Sequence, residues 1–175
     1  MKITVLNDAD AKGGDNAEAR VSATPDTVKG YVASGHKVTV VKGAGNAANF
    51  SDADYKAAGA SIAASNGAAA KTADLVMSIT GRNAKFVAGL KKGAGITGLM
   101  NPTDNPKYAA ACAKAGVTAF ALEYIPRISR AQSMDVLSSQ SNLSGYRAVV
   151  EGAGIYGRAM PVSYTHLTLP TIYSV

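Results

Sequence analysis

The chain has 175 residues and a formal net charge of +6, but its 18 basic side chains are scattered and do not indicate a nucleic-acid partner. This length is enough for one domain with a hydrophobic core, and an apolar fraction of 47% excludes a disordered chain. A single cysteine and two histidines exclude a disulfide framework and a metal site built from cysteine or histidine clusters.

Short apolar segments alternate with helical segments along the chain. Thr24 and Pro25 are typical of a helix N-cap and first turn, Ser51 with Asp54 predicts a capping box, and Gly116 predicts a helix end. In chain order we predict a strand at 3–6, a helix at 25–34, a strand at 36–41, a helix at 51–58, strands at 73–79 and 96–100, a helix at 105–115, a strand at 117–122 and a helix at 136–158.

This alternation predicts βαβ units. We therefore expect residues 1–125 to form a doubly wound α/β domain of Rossmann or flavodoxin type, with a mostly parallel sheet, followed by a long crossover helix. The continuous apolar character of the strands predicts that both faces of the sheet are buried.

Three glycine-rich or polar segments are candidate phosphate or anion sites. Residues 152–157 match G-x-G-x-x-G but fall within a predicted helix rather than between a strand and a helix, which favours a small-residue helix face. Residues 42–45 lack a third glycine and favour a tight turn. Arg20, in the loop that contains Gly13, Gly14 and Glu18, could reach an anion or form a surface salt bridge, and both interpretations stay open.

Cys112 lies in an alanine-rich helix and has no plausible histidine base. These surroundings predict buried packing rather than a nucleophile. No Ser-His-Asp set, carboxylate pair or metal cluster can be assembled from the remaining residues.

The segment after the last predicted strand is rich in polar side chains. Arg127, Arg130, Gln132 and Asp135 fall close together, and Pro126 stiffens the approach. Open α/β sheets bind ligands at the carboxyl ends of their strands. These residues predict either a binding loop or a solvated connection in which Asp135 caps the next helix, and composition leaves both open.

At this loop the sequence resembles a known family. Residues 118–149, with Tyr-Ile-Pro-Arg-Ile-Ser-Arg-Ala-Gln-Ser-Met-Asp at 124–135, closely resemble the alpha subunit of proton-translocating NAD(P) transhydrogenase, the NAD(H)-binding component. Residues 20–28, and residues 42–45 together with 50–55, resemble the start of the same family. The resemblance extends from residue 1 to about residue 161.

The resemblance implies an oxidoreductase that passes hydride directly between NAD(H) and NADP(H), coupled to proton translocation. It implies a second, Rossmann domain that holds NAD(H), an NADP(H)-binding component, a membrane component and a homodimer. It also implies a cytoplasmic protein that is peripheral to the inner membrane through its partner subunits. The chain itself contains no stretch of about 18 apolar residues that could span a membrane.

The resemblance also assigns roles within the loop. Arg127, Gln132 and Asp135 match the family's Arg-Gln-Asp loop, and Ser138 lies just beyond them. A nicotinamide carboxamide needs a hydrogen-bond donor, which Arg127 can supply, and an acceptor, which Asp135 or Ser138 can supply. Gln132 is expected to reach towards the partner's nucleotide. No metal is expected.

Two alternatives remain. Alanine dehydrogenase resembles the chain through its N-terminal half, but that family uses a lysine where residues 77–79 stand and a histidine near residues 98–101, and neither is present. The chain would then lack the groups that hold and protonate a keto acid, so the transhydrogenase is favoured. The other alternative is a non-catalytic α/β interaction module.

We therefore expect three segments. Residues 1–125 form the α/β domain, and residues 126–161 form the Arg-Gln-Asp loop and the crossover helix. Residues 162–175 contain no charged side chain, depart from the family and are expected to be a non-native tail. Without the second Rossmann domain, the fragment alone is expected to be inactive and to bind NADH weakly or not at all.

Overall fold

The computed structural model describes residues 1–9 and 18–158. The chain divides into two compact units, Met1–Ile125 and a second that begins at Pro126. The strands are β1 (Lys2–Val5), β2 (Lys37–Val41), β3 (Ser61–Ala63), β4 (Leu75–Thr80), β5 (Gly95–Leu99) and β6 (Thr118–Ala121). The helices are α1 (Pro25–Ala33), α2 (Asp52–Ala57), α3 (Asn66–Ala70), α4 (Ala84–Ala88), α5 (Pro106–Ala115) and α6 (Val136–Ile155).

The six strands form one sheet in the order β3-β2-β1-β4-β5-β6, and every pairing between them is parallel. The chain therefore winds outward from β1 in one direction and from β4 in the other. This order is of the Rossmann type rather than the flavodoxin type, and it places the topological switch point between β1 and β4. The predicted doubly wound α/β fold is confirmed.

Local capping signals decide where several helices begin and end. The Thr24 hydroxyl accepts from the Thr27 amide at the start of α1. Ser51 and Asp54 form the predicted reciprocal capping box, with the Ser51 amide 2.7 Å from the Asp54 carboxylate. Gly116, with φ +66°, ends α5 in the left-handed region.

Some predicted bounds were wrong. The helix α6 ends at Ile155, three residues before the predicted end. The sequence interpretation also missed β3, α3 and α4, each only three to five residues long.

The hydrophobic core lies on both faces of the sheet. One cluster packs β1 and β2 against α1 and α2 and includes Val5, Val28, Val40 and Tyr55. The Tyr55 hydroxyl donates to the Ala23 carbonyl oxygen at 2.8 Å inside this cluster. The other cluster includes Val76, Ile96, Val87, Tyr108 and Cys112, on the side of α4 and α5.

The prediction that both sheet faces are buried is wrong at the β6 edge. Phe120 is 54% exposed, and three of the four residues of β6 are exposed. Together with Leu75, Met77 and Thr97, Phe120 lines a shallow cavity of about 600 Å³ over β4, β5 and β6. Helices α4 and α5 cover the opposite face of these strands, so the apolar run predicted burial correctly for only one face.

None of the helices within residues 1–9 and 18–158 is long and apolar enough to cross a membrane.

Candidate functional site

The Arg-Gln-Asp loop lies at the start of the second unit and is mostly helical. Residues Ser129–Met134 form a 3-10 helix, and Asp135 follows as the N-cap of α6. The Asp135 amide donates to the Gln132 carbonyl oxygen at 3.3 Å, which joins the two helices. Asp135 is therefore held by its backbone as well as by its side chain.

The Asp135 carboxylate is buried and fully engaged in starting α6. Its Oδ1 accepts from the amides of Leu137 and Ser138, both at 3.1 Å, and its Oδ2 accepts from the Ser138 hydroxyl at 2.5 Å. The Ser138 hydroxyl and amide hold the pKa of Asp135 below its usual range, with a smaller contribution from the charge of Arg127. Asp135 is thus a fixed, ionised acceptor at neutral pH, and the capping interpretation is confirmed.

The other predicted residues of the loop differ from Asp135 in their burial. Arg127, Arg130 and Gln132 are exposed. The structure therefore brings Asp135 and Ser138 into direct contact, with the Arg127 charge near enough to act on Asp135. An exposed guanidinium beside a fixed carboxylate and a hydroxyl can donate to and accept from one planar amide group.

The sequence interpretation missed a polar cluster at the switch point. Asp8, just beyond β1, has a fully buried side chain that accepts from the Ser78 hydroxyl at 2.6 Å and from the Ile79 amide at 2.8 Å. The Arg82 guanidinium lies 3.3 Å from the Asp8 carboxylate. Burial raises the pKa of Asp8, against the opposing effects of Ser78, Ile79 and Arg82.

This cluster ties three loops together. Arg82 also donates to the Asn7 carbonyl oxygen at 2.6 Å. Asn66, the first residue of α3, exchanges two hydrogen bonds with the Asn7 backbone, at 2.8 and 2.9 Å. The carboxyl ends of β1 and β4 are therefore occupied by side chains of the chain itself.

The remaining sequence features have structural roles. Arg20 forms a salt bridge with Glu18 at 2.8 Å, which confirms the salt-bridge interpretation, while Gly13 and Gly14 lie outside the described residues. Cys112 is buried, and burial raises the pKa of its thiol, as expected of packing. Residues 42–45 form a tight turn, in which Gly43 has φ +72°.

Residues 152–157 do not have the strand–turn–helix context of a phosphate-binding loop. Gly152 and Gly154 lie inside α6, and Gly157 follows its end. Open space surrounds all three glycines, as expected of a small-residue helix face. The predicted non-native tail, 162–175, lies outside the described residues.

Within the described parts of the chain, no group of three or more His, Cys, Asp or Glu side chains could hold a metal ion.

Comparison with known proteins gives a consistent family. The family described as "Alanine dehydrogenase/PNT, N-terminal domain" matches residues 12–144. An NAD(P) transhydrogenase subunit alpha of Rhodospirillum rubrum is 42% identical over 153 residues, which are 85% of this chain and 40% of that protein. An alanine dehydrogenase of Halomonas elongata is 31% identical over 87% of this chain and 39% of its own length.

A solved structure supports the same relationship. The crystal structure of transhydrogenase from Sinorhizobium meliloti superposes with a TM-score of 0.80 at 39% identity, over 95% of this chain and 48% of that one. The chain thus spans less than half the length of the relatives that it matches. On the matched residues and the shared fold, the chain belongs to the alanine dehydrogenase/PNT N-terminal domain family.

Proposed function

We propose that this chain supplies the N-terminal α/β domain (1–125) and the loop and crossover helix (126–161) of an NAD(P) transhydrogenase alpha subunit. The whole protein would transfer hydride between NAD(H) and NADP(H), coupled to proton translocation. One observation carries the proposal: a fixed, ionised Asp135 bonded to Ser138 with Arg127 beside it, in the loop that resembles the transhydrogenase. The relatives and the solved structure named transhydrogenase support it.

The loop residues would bind and orient the nicotinamide. Arg127 would donate to the carboxamide oxygen. The Ser138 hydroxyl, which donates to Asp135, keeps lone pairs that can accept from the carboxamide amide group. Gln132 would contact the partner's nucleotide. When bound, NAD(H) supplies the hydride chemistry, so the loop needs to provide position and electrostatics rather than an acid or base.

The partners and the location follow from the same proposal. The NADP(H)-binding and membrane components would be partner subunits, and the chain would act within a homodimer. The protein would lie in the cytoplasm, against the inner membrane, through those subunits. The 175-residue chain alone would be inactive, and calorimetry should then detect weak NADH binding or none; tight binding would contradict this aspect of the proposal.

The decisive experiment uses a full-length chimera, in which residues 1–158 replace the matched segment of the Rhodospirillum rubrum subunit. Arg127→Ala should reduce hydride transfer at least tenfold at an unchanged melting temperature, because Arg127 is exposed. Arg130→Ala removes a second exposed arginine from the same loop and serves as the matched control, with little effect expected. Equal losses in both variants would refute the nicotinamide role.

Asp135 needs a variant that separates its two roles. Asp135→Asn and Asp135→Ser both keep a side chain that is favoured at an N-cap while removing the charge. Both should preserve α6, measured by circular dichroism, yet reduce hydride transfer far more than folding stability. Parallel losses of melting temperature and rate would mean that Asp135 serves α6 alone.

An alanine dehydrogenase is the second candidate, because the family also includes such enzymes. The switch point disfavours it: Ser78 stands in the segment where the alanine dehydrogenase resemblance implies a lysine, and its hydroxyl donates to the buried Asp8 carboxylate. The Arg82 guanidinium there is already paired with the Asp8 carboxylate at 3.3 Å, so the carboxylate of a keto acid would have to compete with Asp8 for it. Pyruvate binding by the chain, measured by NMR titration, would favour this candidate over the transhydrogenase.

A further inference from the structure

The carboxylate of Glu123 binds the end of β5 at the point where the chain leaves β6. Glu123 lies in a short 3-10 helix, Leu122–Tyr124, that follows β6 directly. Its Oε1 accepts from the Met100 amide at 2.8 Å and also from the Asn101 amide. Met100 and Asn101 are the two residues that follow β5. One oxygen atom thus ties the chain after β6 to the chain after the neighbouring strand.

A second contact holds the same 3-10 helix. The Tyr124 hydroxyl and the Thr103 hydroxyl share a hydrogen bond. The loop that contains Thr103 is itself folded, because the Asn101 side chain donates to the Asp104 carboxylate at 2.7 Å and the Asn105 amide donates to the Asn101 carbonyl oxygen at 3.0 Å. The 3-10 helix after β6 is therefore anchored to this loop by two successive residues.

This anchor is costly to form, which indicates a role beyond stability. The Glu123 Oε2 atom is buried, and no donor among the described residues bonds to it. Asn101 has φ +45°, in the left-handed region that residues other than glycine rarely adopt. A buried acceptor without a donor and a strained backbone each cost free energy, and backbone strain concentrates at functional sites.

Few backbone torsions are free between Glu123 and Arg127. Ile125 is extended, with φ −60° and ψ 123°, and the proline after it disfavours the helical alternative. The ring of Pro126 fixes its own φ. The Ile128 amide donates to the Pro126 carbonyl oxygen at 2.9 Å, which closes a γ-turn with Arg127 at its centre. A displacement of Glu123 would therefore displace the backbone of Arg127 as well.

We propose that Glu123 is a positioning residue, which fixes the backbone of Arg127 and thereby the place from which its guanidinium reaches the nicotinamide. Glu123 does not need to touch the ligand, because it acts through the amides of Met100 and Asn101. Arg127 is exposed, so packing contributes little to its orientation and the position of its backbone matters more. The inference rests on the proposed function for the role of Arg127, but the position of Arg127 can be measured without NADH.

Amide NMR of the 175-residue chain tests the positioning directly. Glu123→Ala removes the acceptor, whereas Glu123→Gln keeps one oxygen that can accept from both amides. In Glu123→Ala we expect the heteronuclear NOE of Arg127 to fall and the Ile128 amide hydrogen to exchange at least tenfold faster with solvent. In Glu123→Gln the exchange rate should change less than twofold. Unchanged Arg127 and Ile128 signals in folded Glu123→Ala would overturn the proposal. If circular dichroism shows Glu123→Ala to be unfolded, Glu123→Asp, with a shorter side chain, takes its place with the same expected changes.

Asp54→Ala separates positioning from a loss of stability. The Asp54 carboxylate also accepts from a backbone amide, that of Ser51, but it does so at the start of α2. Asp54→Ala should lower the melting temperature, yet leave the NOE of Arg127 and the exchange of the Ile128 amide unchanged. Equal changes at Arg127 and Ile128 in the two variants would mean that Glu123 stabilises the fold and does not position Arg127.

Kinetics of the full-length chimera connect this geometry to hydride transfer. Glu123→Ala should raise the KM for NADH at least fivefold, because a displaced Arg127 binds the carboxamide less well. A loss of folded protein alone would lower the rate at saturation and leave the KM unchanged. In an Arg127→Ala background, Glu123→Ala should change kcat/KM less than twofold, since Glu123 acts through Arg127.

The two proposals can fail separately. If Arg127→Ala reduces hydride transfer but the losses from Glu123→Ala and Arg127→Ala multiply, the positioning role is wrong and the proposed function stands. If Arg127→Ala leaves hydride transfer unchanged while the NMR signals of Arg127 and Ile128 respond to Glu123→Ala as expected, the nicotinamide role is wrong and the positioning of Arg127 by Glu123 stands.

Discussion

The ion pair between Asp8 and Arg82 is buried in the first unit, and its loss is expected to destabilise the fold. The Asp8 side chain is fully buried, and the Arg82 side chain is only 9% exposed. Replacing Asp8 with alanine removes acceptors from the Ser78 hydroxyl and the Ile79 amide and leaves the Arg82 guanidinium buried without this carboxylate. Breaking a buried pair from one side costs about 3 to 5 kcal/mol. This is a large share of the roughly 5 to 15 kcal/mol that stabilises a typical domain.

Urea unfolding followed by circular dichroism measures this free energy, since the chain contains no tryptophan. Asp8→Ala should lower the free energy of unfolding by about 3 to 5 kcal/mol. In Asp8→Ala/Arg82→Met both charges are absent, so the double variant should be more stable than Asp8→Ala by at least about 1 kcal/mol. If Asp8→Ala changes the free energy by less than about 1 kcal/mol, or if the two substitutions are additive, the pair does not carry the stability assigned to it.

Four other substitutions test packing and capping. Gly45→Ala should destabilise the chain by about 1 to 3 kcal/mol in urea unfolding, because the new Cβ would lie 2.7 Å from the Tyr55 ring. Gly30→Ala should instead stabilise the chain by up to about 1 kcal/mol, because Gly30 lies within α1 and its Cβ would enter open space. Tyr55→Phe leaves the buried Ala23 carbonyl oxygen without its donor and should lower the free energy of unfolding by about 1 to 2 kcal/mol. Because the pKa of Asp135 is lowered in the folded chain, its carboxylate stabilises the fold above about pH 4, and this stabilisation is lost as the pH falls through the folded-state pKa. In Asp135→Asn the melting temperature should therefore fall less steeply with acidification than in the unchanged chain.

The elements that the sequence predicted are those with a clear local signal. Thr24 with Pro25, and Ser51 with Asp54, identify helix starts from neighbouring residues alone. The missed helices α3 and α4 also have caps, Ser65 and Asn83, but each is only five residues long. Such short segments contain too few apolar positions to show a helical period, and alanines around Asn66–Ala70 weaken the contrast between faces.

The capping role of Asp135 was predictable because its partners are two and three residues away. Asp8 and Ser78 are 70 residues apart in the sequence. They meet because β1 pairs directly with β4, which contains Ser78, although β2 and β3 come between these two strands in the chain. Only the strand order could reveal that contact. An isolated Asp that is followed only much later by Ser and Arg gives no local signal of a contact. The sequence interpretation of the loop after β1 therefore considered Arg20 as a candidate and not Asp8.

The switch-point cluster also affects which part of this chain has groups available to bind a ligand. Open α/β sheets usually bind ligands at the carboxyl ends of the strands beside the switch point. Here the Asp8 carboxylate already occupies the hydrogen-bond donors of Ser78, Ile79 and Arg82, so an anionic ligand would have to displace a buried, paired carboxylate. At Asp135 the situation differs, because the exposed Arg127 and the lone pairs of the Ser138 hydroxyl remain accessible beside a fixed charge. The occupied donors at the switch point and the accessible groups beside Asp135 therefore support our proposal that the loop after β6, rather than the switch point, contacts the nicotinamide.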